Sequence, residues 1–411
     1  MEGSLMFDEF AGGSISYLCS LPHLIVLSLL YPHPEHILPL VFLLSAVFTF
    51  TFGNITKQPL ILCPSPAPSI YIITVLASSS NTSQLAISIT SVSTGLVLTL
   101  IPAVFPFVIH QIRRVFVSCI RHSAALGLAF LLAFRAFRLL AADASTHSLG
   151  VIQPLVIVYL FCMVLSSVMY ANHFQGKFVV PTLLSIIFSL IVGLLLHSQK
   201  QNVVPIFPER AYHIIPEFSQ VLEFLHNNAL QLVGPVLLCT SFFLMEALCA
   251  VEVLANSPSD ATIPSLIILG LSSVVTGIFG LGMPAILLES STAKAANAKT
   301  PVAANVASAW FVLSAAILWI SKMMGILQVS QLTLSLPRAA SAPALTVAAL
   351  LHLRCLGEPK WVKPQRSIPA LICMMVAPLS NSLADGVLLA FLIYLALYLI
   401  TLPYPEVFDS V

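Results

Sequence analysis

The sequence predicts an all-α polytopic membrane protein of about 14 transmembrane helices, and three observations carry that reading. Charged residues make up only 8% of the 411 positions while hydrophobic ones make up 58%. Apolar runs long enough to cross a bilayer recur along the whole chain. Two of those runs are broken at corresponding places in the two halves. A soluble domain is about 25% charged, so this chain has too few charges to cover a water-facing surface. Its mean hydropathy of +0.99 says the same. A soluble enzyme, a disordered protein and a nucleic-acid binder are excluded at this step. Seventeen Lys and Arg against sixteen Asp and Glu leave a formal charge of +1, which calls for no polyanionic partner. The partner that the composition does require is the lipid bilayer. A β-barrel would alternate apolar and polar residues, and these segments do not.

A membrane helix needs about 20 largely apolar residues. In order, the candidate spans are 11–31, 36–53, 59–78, 84–109, 117–140, 151–170, 178–197, 227–255, 262–281, 284–297, 301–320, 325–352, 367–383 and 385–402. The third, tenth and twelfth are the least regular. The longest polar stretch holds Lys200, Pro205, Pro208, Glu209, Arg210, Pro216 and Glu217. It divides the chain into a first seven-span repeat at 1–197, a polar linker at 198–226 and a second seven-span repeat at 227–411. The N-terminal run carries Asp8 and Glu9 with no basic residue before it, so no cleaved signal peptide is expected. Orientation follows from Lys and Arg. With both termini cytoplasmic, the larger group falls inside, including Lys57, Arg113, Arg114, Arg121, Lys177, Lys294 and Lys299. Arg135, Arg138, Lys200, Arg210 and Lys322 then fall outside. A cytoplasmic (plasma) membrane is the expected residence.

The third span begins Gln58-Pro59-Leu60-Ile61-Leu62-Cys63-Pro64-Ser65-Pro66-Ala67-Pro68-Ser69. Prolines at this density stop a helix, because each lacks an N–H and clashes with the preceding turn. The tenth follows Phe279-Gly280-Leu281-Gly282-Met283-Pro284, and Glu289 comes five positions after that proline. Non-helical backbone at membrane depth survives only where it is buried in protein or lines a cavity. Matched breaks in two halves point to an inverted-repeat transporter with its site near the midplane.

Ionisable residues inside spans are costly and functional by default. Glu246 lies mid-span in the eighth run, as a substrate or proton ligand or else a structural carboxyl. Glu252, six residues on, does not share its face and reads equally as an interfacial charge. Glu289 stands at the break of the tenth span. His23 sits mid-span in the first, as a proton relay or simply hydrogen-bonded. Asp385 reads as a helix N-cap. Arg135 and Arg138, near a span end, read as headgroup-seeking and receive no transport role. Eight cysteines without a CxxC pair suggest neither a disulfide nor a metal site. No cofactor is called for beyond a proton as coupling ion.

Pro337-Arg338-Ala339-Ala340-Ser341-Ala342-Pro343-Ala344-Leu345 resembles the IPAFATAPAL stretch of the xanthine/uracil permease (nucleobase:cation symporter 2) superfamily, in its AzgA-like hypoxanthine/guanine/adenine branch. Ile368 to Gly386 is similar to its IPAFLTIIMMPLTYSIADG, and Leu288-Glu289-Ser290-Ser291 to its YIESAAG. Ile120 to Gly127 resembles IPHSLRLG, and Glu9-Phe10-Ala11-Gly12 resembles EIIAG. In order, these cover nearly the whole chain.

The resemblance implies a 7+7 inverted repeat. Spans one to four and eight to eleven would form a core domain and the rest a gate domain. Short strands would lie in spans three and ten, with the substrate between them. It implies an elevator-like importer of purine nucleobases with protons. The binding carboxylates become Glu246, in place of the branch's Asp, and Glu289. Ser69 stands where the branch has a polar Asn, and Ser290 follows the glutamate. Proton coupling would fall to Glu246, Glu289, Glu252 or His23, and a homodimer is the oligomer to test. Two further readings stand beside this one: the same fold carrying another small solute or an anion, and a membrane protein that transports nothing.

Overall fold

The computed structural model describes residues 2–31, 34–78, 84–140, 164, 218–324, 342–353 and 364–401. The first half opens with helices α1 (Glu2–Leu29) and α2 (Pro34–Thr56), strand β1 (Leu62–Pro64) and helix α3 (Pro66–Ser78). Helices α4 (Gln84–Val104) and α5 (Pro106–Leu140) follow. The second half runs α6 (Phe218–Leu254), α7 (Pro258–Ile278), strand β2 (Pro284–Ile286), a 3-10 turn (Leu288–Ser290) and the short α8 (Ser291–Ala295). It continues with α9 (Pro301–Met323), α10 (Ala342–His352), α11 (Pro364–Ser380) and α12 (Leu383–Thr401). Among the described residues, seven helices are long and apolar enough to cross a membrane. Apart from residue 164, the spans expected at 151–170 and 178–197, the linker as far as residue 217 and the twelfth span's 325–341 lie outside the described residues. Helix α6 begins at Phe218, nine residues before the start expected for the eighth span.

Proline sets many of the starts. Helices α2, α3, α5, α7, α9 and α11 each open on a proline. The first helical position needs no N–H, and the fixed φ of proline suits it. The two proline- and glycine-rich breaks become the two strands. They pair antiparallel with Leu62 opposite Ile286, Cys63 opposite Ala285 and Pro64 opposite Pro284. Two bonds extend the ladder, from the Leu287 N–H to the Ile61 carbonyl at 3.0 Å and, at the other end, from the Ser65 N–H to the Met283 carbonyl at 3.5 Å. The Thr49 hydroxyl of α2 donates to the Leu62 carbonyl at 3.0 Å, a bond the ladder alone would not supply. Both strands are buried throughout, which is the condition under which extended backbone is tolerated in a bilayer.

Glycine is required at the second break. Gly280 and Gly282 have φ of +65° and +75°, a region closed to most side chains. A Cβ on Gly282 would also collide with the Ser69 hydroxyl of α3. Elsewhere, small residues bring helices close. A Cβ on Gly95 of α4 would lie 2.7 Å from the Gly270 carbonyl of α7. This is how membrane helices pack without a hydrophobic drive between them.

Packing separates the described helices into two groups. Helices α1–α4 and α6–α9 pack among themselves around the strand pair. Helix α5 packs mainly against α10, α11 and α12. The groups meet along α6 with α5 and α12, along α8 with α10, and along α4 with α5.

Candidate functional site

Glu289 lies in the 3-10 turn that follows β2 and is fully buried. Its Oε1 receives two donors. Arg135 Nη1, from α5, donates to it at 2.8 Å. His23 Nε2, from α1, lies 2.8 Å from the same oxygen. Oε2 is buried and has no hydrogen-bond partner among the described residues. An unsatisfied buried oxygen costs free energy in any protein, and more where no water competes, so this one calls for an explanation.

Arg135 is held on its other side by Asn381, in the turn between α11 and α12. Its Nε donates to Asn381 Oδ1 at 3.1 Å and its Nη2 to the Asn381 carbonyl at 3.4 Å. Asn381 sits at φ +57°, a conformation Asn tolerates better than most residues. Each guanidinium nitrogen thus makes one bond, and each terminal nitrogen retains a second N–H. From its place near a span end, the sequence predicts a headgroup contact for Arg135. The structure instead buries it against the glutamate of the tenth span. The pairing joins positions 154 apart in the chain, so no local pattern marks it.

The other expected site residues divide into those near Glu289 and those elsewhere. Glu246, on α6, is partly exposed, lies within electrostatic range of Arg135 and Asp385, and makes no hydrogen bond or ion pair among the described residues. Ser290 is committed to the strands: its Oγ accepts the Ile61 N–H at 3.0 Å. Ser69 is committed to backbone as well, donating to the Ser65 carbonyl at 2.9 Å and lying 3.3 Å from the Leu281 carbonyl. Glu252 sits elsewhere, ion-paired at 3.0 Å with Arg113. Arg113 is 22 residues before Arg135 on α5, about six helical turns away. The cap of α12 is Ser382 rather than Asp385: the Asp385 N–H donates to the Ser382 hydroxyl at 3.3 Å.

The aromatic residues near the break pack on one another. Tyr71 and Phe242 stack with centroids 3.9 Å apart and planes 13° from parallel. Phe243 stands edge-on to both, at 5.9 Å and 5.4 Å. Among the described residues no group of three or more His, Cys, Asp or Glu could hold a metal ion.

No protein-family model matches the chain. It is 23% identical over 365 residues to the guanine/hypoxanthine permease PbuO of Bacillus subtilis, covering 85% of this chain and 81% of the permease. It is 29% identical over 124 residues to the guanine/hypoxanthine permease PbuG of the same organism, covering 30% of this chain and 26% of that one. Its fold is similar to the transmembrane domain of the cyanobacterial bicarbonate transporter BicA. That likeness has a TM-score of 0.51 at 16% identity, over 94% of this chain and 97% of that domain. It is also similar to SLC26A9, with a TM-score of 0.53 at 14% identity, over 98% of this chain and 66% of that one. These similarities are to permeases and transporters rather than to enzymes, and they support a non-enzymatic role. The chain is a multi-pass membrane protein with the fold of these transport domains and a distant homology to the guanine/hypoxanthine permeases.

Proposed function

We propose that the chain is a secondary active transporter that imports purine nucleobases of the hypoxanthine, guanine and adenine type together with protons. It works as a 7+7 inverted repeat by an elevator-like movement of a core domain against a gate domain. It belongs by this reading to the AzgA-like branch and resides in the cytoplasmic (plasma) membrane with both termini inside. The observation that carries the proposal is Glu289. A buried carboxylate stands at the break of a membrane span, beside two paired strands, with one oxygen held and the other without a donor. A purine offers N–H donors and ring acceptors on a flat edge, and such a carboxylate oxygen accepts one of those N–H groups. Distant homology to permeases of guanine and hypoxanthine supports the same class of solute.

Proton coupling falls to Glu246. It has no ion-pair partner among the described residues, so its charge is free to change during the cycle. Glu289, His23 and Glu252 each have one already.

The bicarbonate transporter of similar fold raises an anion as the rival solute, and Arg135 is the cation such a site would need. Here Arg135 is already neutralised by Glu289, and Glu246 and Asp385 are the further charges in range. Carboxylates facing the site repel an anion and tolerate a neutral base. The test is uptake of labelled hypoxanthine, guanine, adenine, xanthine and uracil in cells lacking their own permeases, with and without a protonophore. Saturable purine uptake, abolished by the protonophore and lost in Glu289→Gln, is the expected result. No uptake of any base by protein shown to be in the membrane would sink the importer reading and favour a different solute or a protein that transports nothing.

A further inference from the structure

The contact between Arg135 and Glu289 crosses the two groups of helices. Arg135 belongs to α5, which packs with α10–α12, and Asn381 joins α11 to α12 in that same group. Glu289 and His23 belong to the group built around the strand pair. The side chains that meet are 13% and 1% exposed, so water screens the pair little. A buried carboxylate left without a cation is strongly unfavourable, and breaking a buried pair from one side leaves the other charge uncompensated. His23 alone is a conditional partner, because it is charged only when protonated.

The geometry also fixes which carboxylate oxygen is used. Asn381 grips the guanidinium through Nε and Nη2, on the side away from Glu289. A planar fork held at two points has little freedom left at its third nitrogen. Nη1 therefore meets Oε1 in one orientation, His23 meets the same oxygen, and Oε2 is left over. Lysine could supply the charge but not the three-point hold.

We propose that Arg135, oriented by Asn381, is the positioning residue of this site: it neutralises Glu289 across the two helix groups and fixes Oε2 as the oxygen presented to the solute. The identity of that solute rests on the transport reading above; the pairing itself does not. A solute that donates an N–H and carries no net charge suits this arrangement. A solute that brings its own negative charge finds no cation free to receive it among the described residues.

The experiment compares wild type, Arg135→Gln, Arg135→Lys, Glu289→Gln and the double variant Arg135→Gln/Glu289→Gln by two readouts. Uptake of labelled guanine and hypoxanthine gives KM and maximal rate. Thermal melting of the purified, detergent-solubilised protein gives a readout that needs no solute. Arg135→Gln is expected to raise KM on the order of tenfold, as for loss of one charge-assisted contact, with a smaller change in maximal rate. Arg135→Lys should recover part of that loss. In melting, each single Gln variant should fall below wild type. The double variant should melt higher than the sum of the two losses allows, because it leaves no charge unpaired. A wild-type KM in a well-folded Arg135→Gln protein would overturn the proposal. So would melting losses that simply add. If wild type itself takes up no base, the transport reading falls, and the melting comparison alone decides the pairing.

Discussion

A single carboxylate oxygen organises the site at the residue scale. Glu289 Oε1 is shared by Arg135 and His23, and Oε2 faces no donor among the described residues. Glu246 differs in kind, since no cation among the described residues is fixed to it. Glu246→Gln should therefore retain base binding but lose concentrative, protonophore-sensitive uptake. Counterflow, in which unlabelled base on one side drives labelled base across, checks this: exchange should persist while net accumulation disappears. Glu252 reads in the sequence equally as a proton-coupling candidate and as an interfacial charge. Its ion pair with Arg113, about six turns along α5 from Arg135, takes it out of the site. Glu252→Gln should leave the KM for uptake within about twofold of wild type, since separated sites act independently. Glu246 and Glu289 were legible in the sequence because a carboxyl inside an apolar run is conspicuous. Arg135 was not, since a basic residue near a span end reads as a headgroup contact until the fold brings it to its partner. Ser69 and Ser290 are named from the sequence of the two broken segments, but which group each hydroxyl meets depends on strand register, which no local pattern reveals.

At the scale of elements, the two breaks are the decisive features. Proline at 59, 64, 66 and 68 and the Gly-Leu-Gly-Met-Pro run at 280–284 forbid a continuous helix, and the strands form where the helix cannot. The positions of the breaks were legible because proline and glycine act locally. The pairing of Leu62 with Ile286 was not a local property, and only the family resemblance suggested strands there. Gly282 tests this element. Its φ of +75° and its contact with Ser69 leave no room for a Cβ. Gly282→Ala should destabilise the protein by about 1–3 kcal/mol, the usual cost of a residue forced into that region. A melting curve of the purified protein reads it, and an unchanged midpoint would mean that the second break has another backbone conformation.

At the scale of the whole molecule, composition alone placed the chain in a membrane, and the apolar runs placed α2, α4, α7, α9, α11 and α12 within about five residues of where they lie, whereas α1, α5 and α6 start nine to eleven residues earlier than expected. Helix α9, at Pro301–Met323, starts where the eleventh span was expected. The grouping of α5 with α10–α12 was not visible in any run of residues, because it follows from which apolar faces meet. That grouping gives the site its setting: one oxygen of Glu289 binds across to α5 while the strand pair holds the turn from behind. The central claim is that Glu289 receives the base. Equilibrium binding of labelled guanine and hypoxanthine to the purified protein tests it most directly, with wild type and Glu289→Gln compared at equal monodispersity. Saturable binding to wild type and at least about tenfold weaker binding to the variant are expected, the loss that follows from removing a hydrogen bond to a charged group. Equal affinity of the two proteins for either base would contradict it.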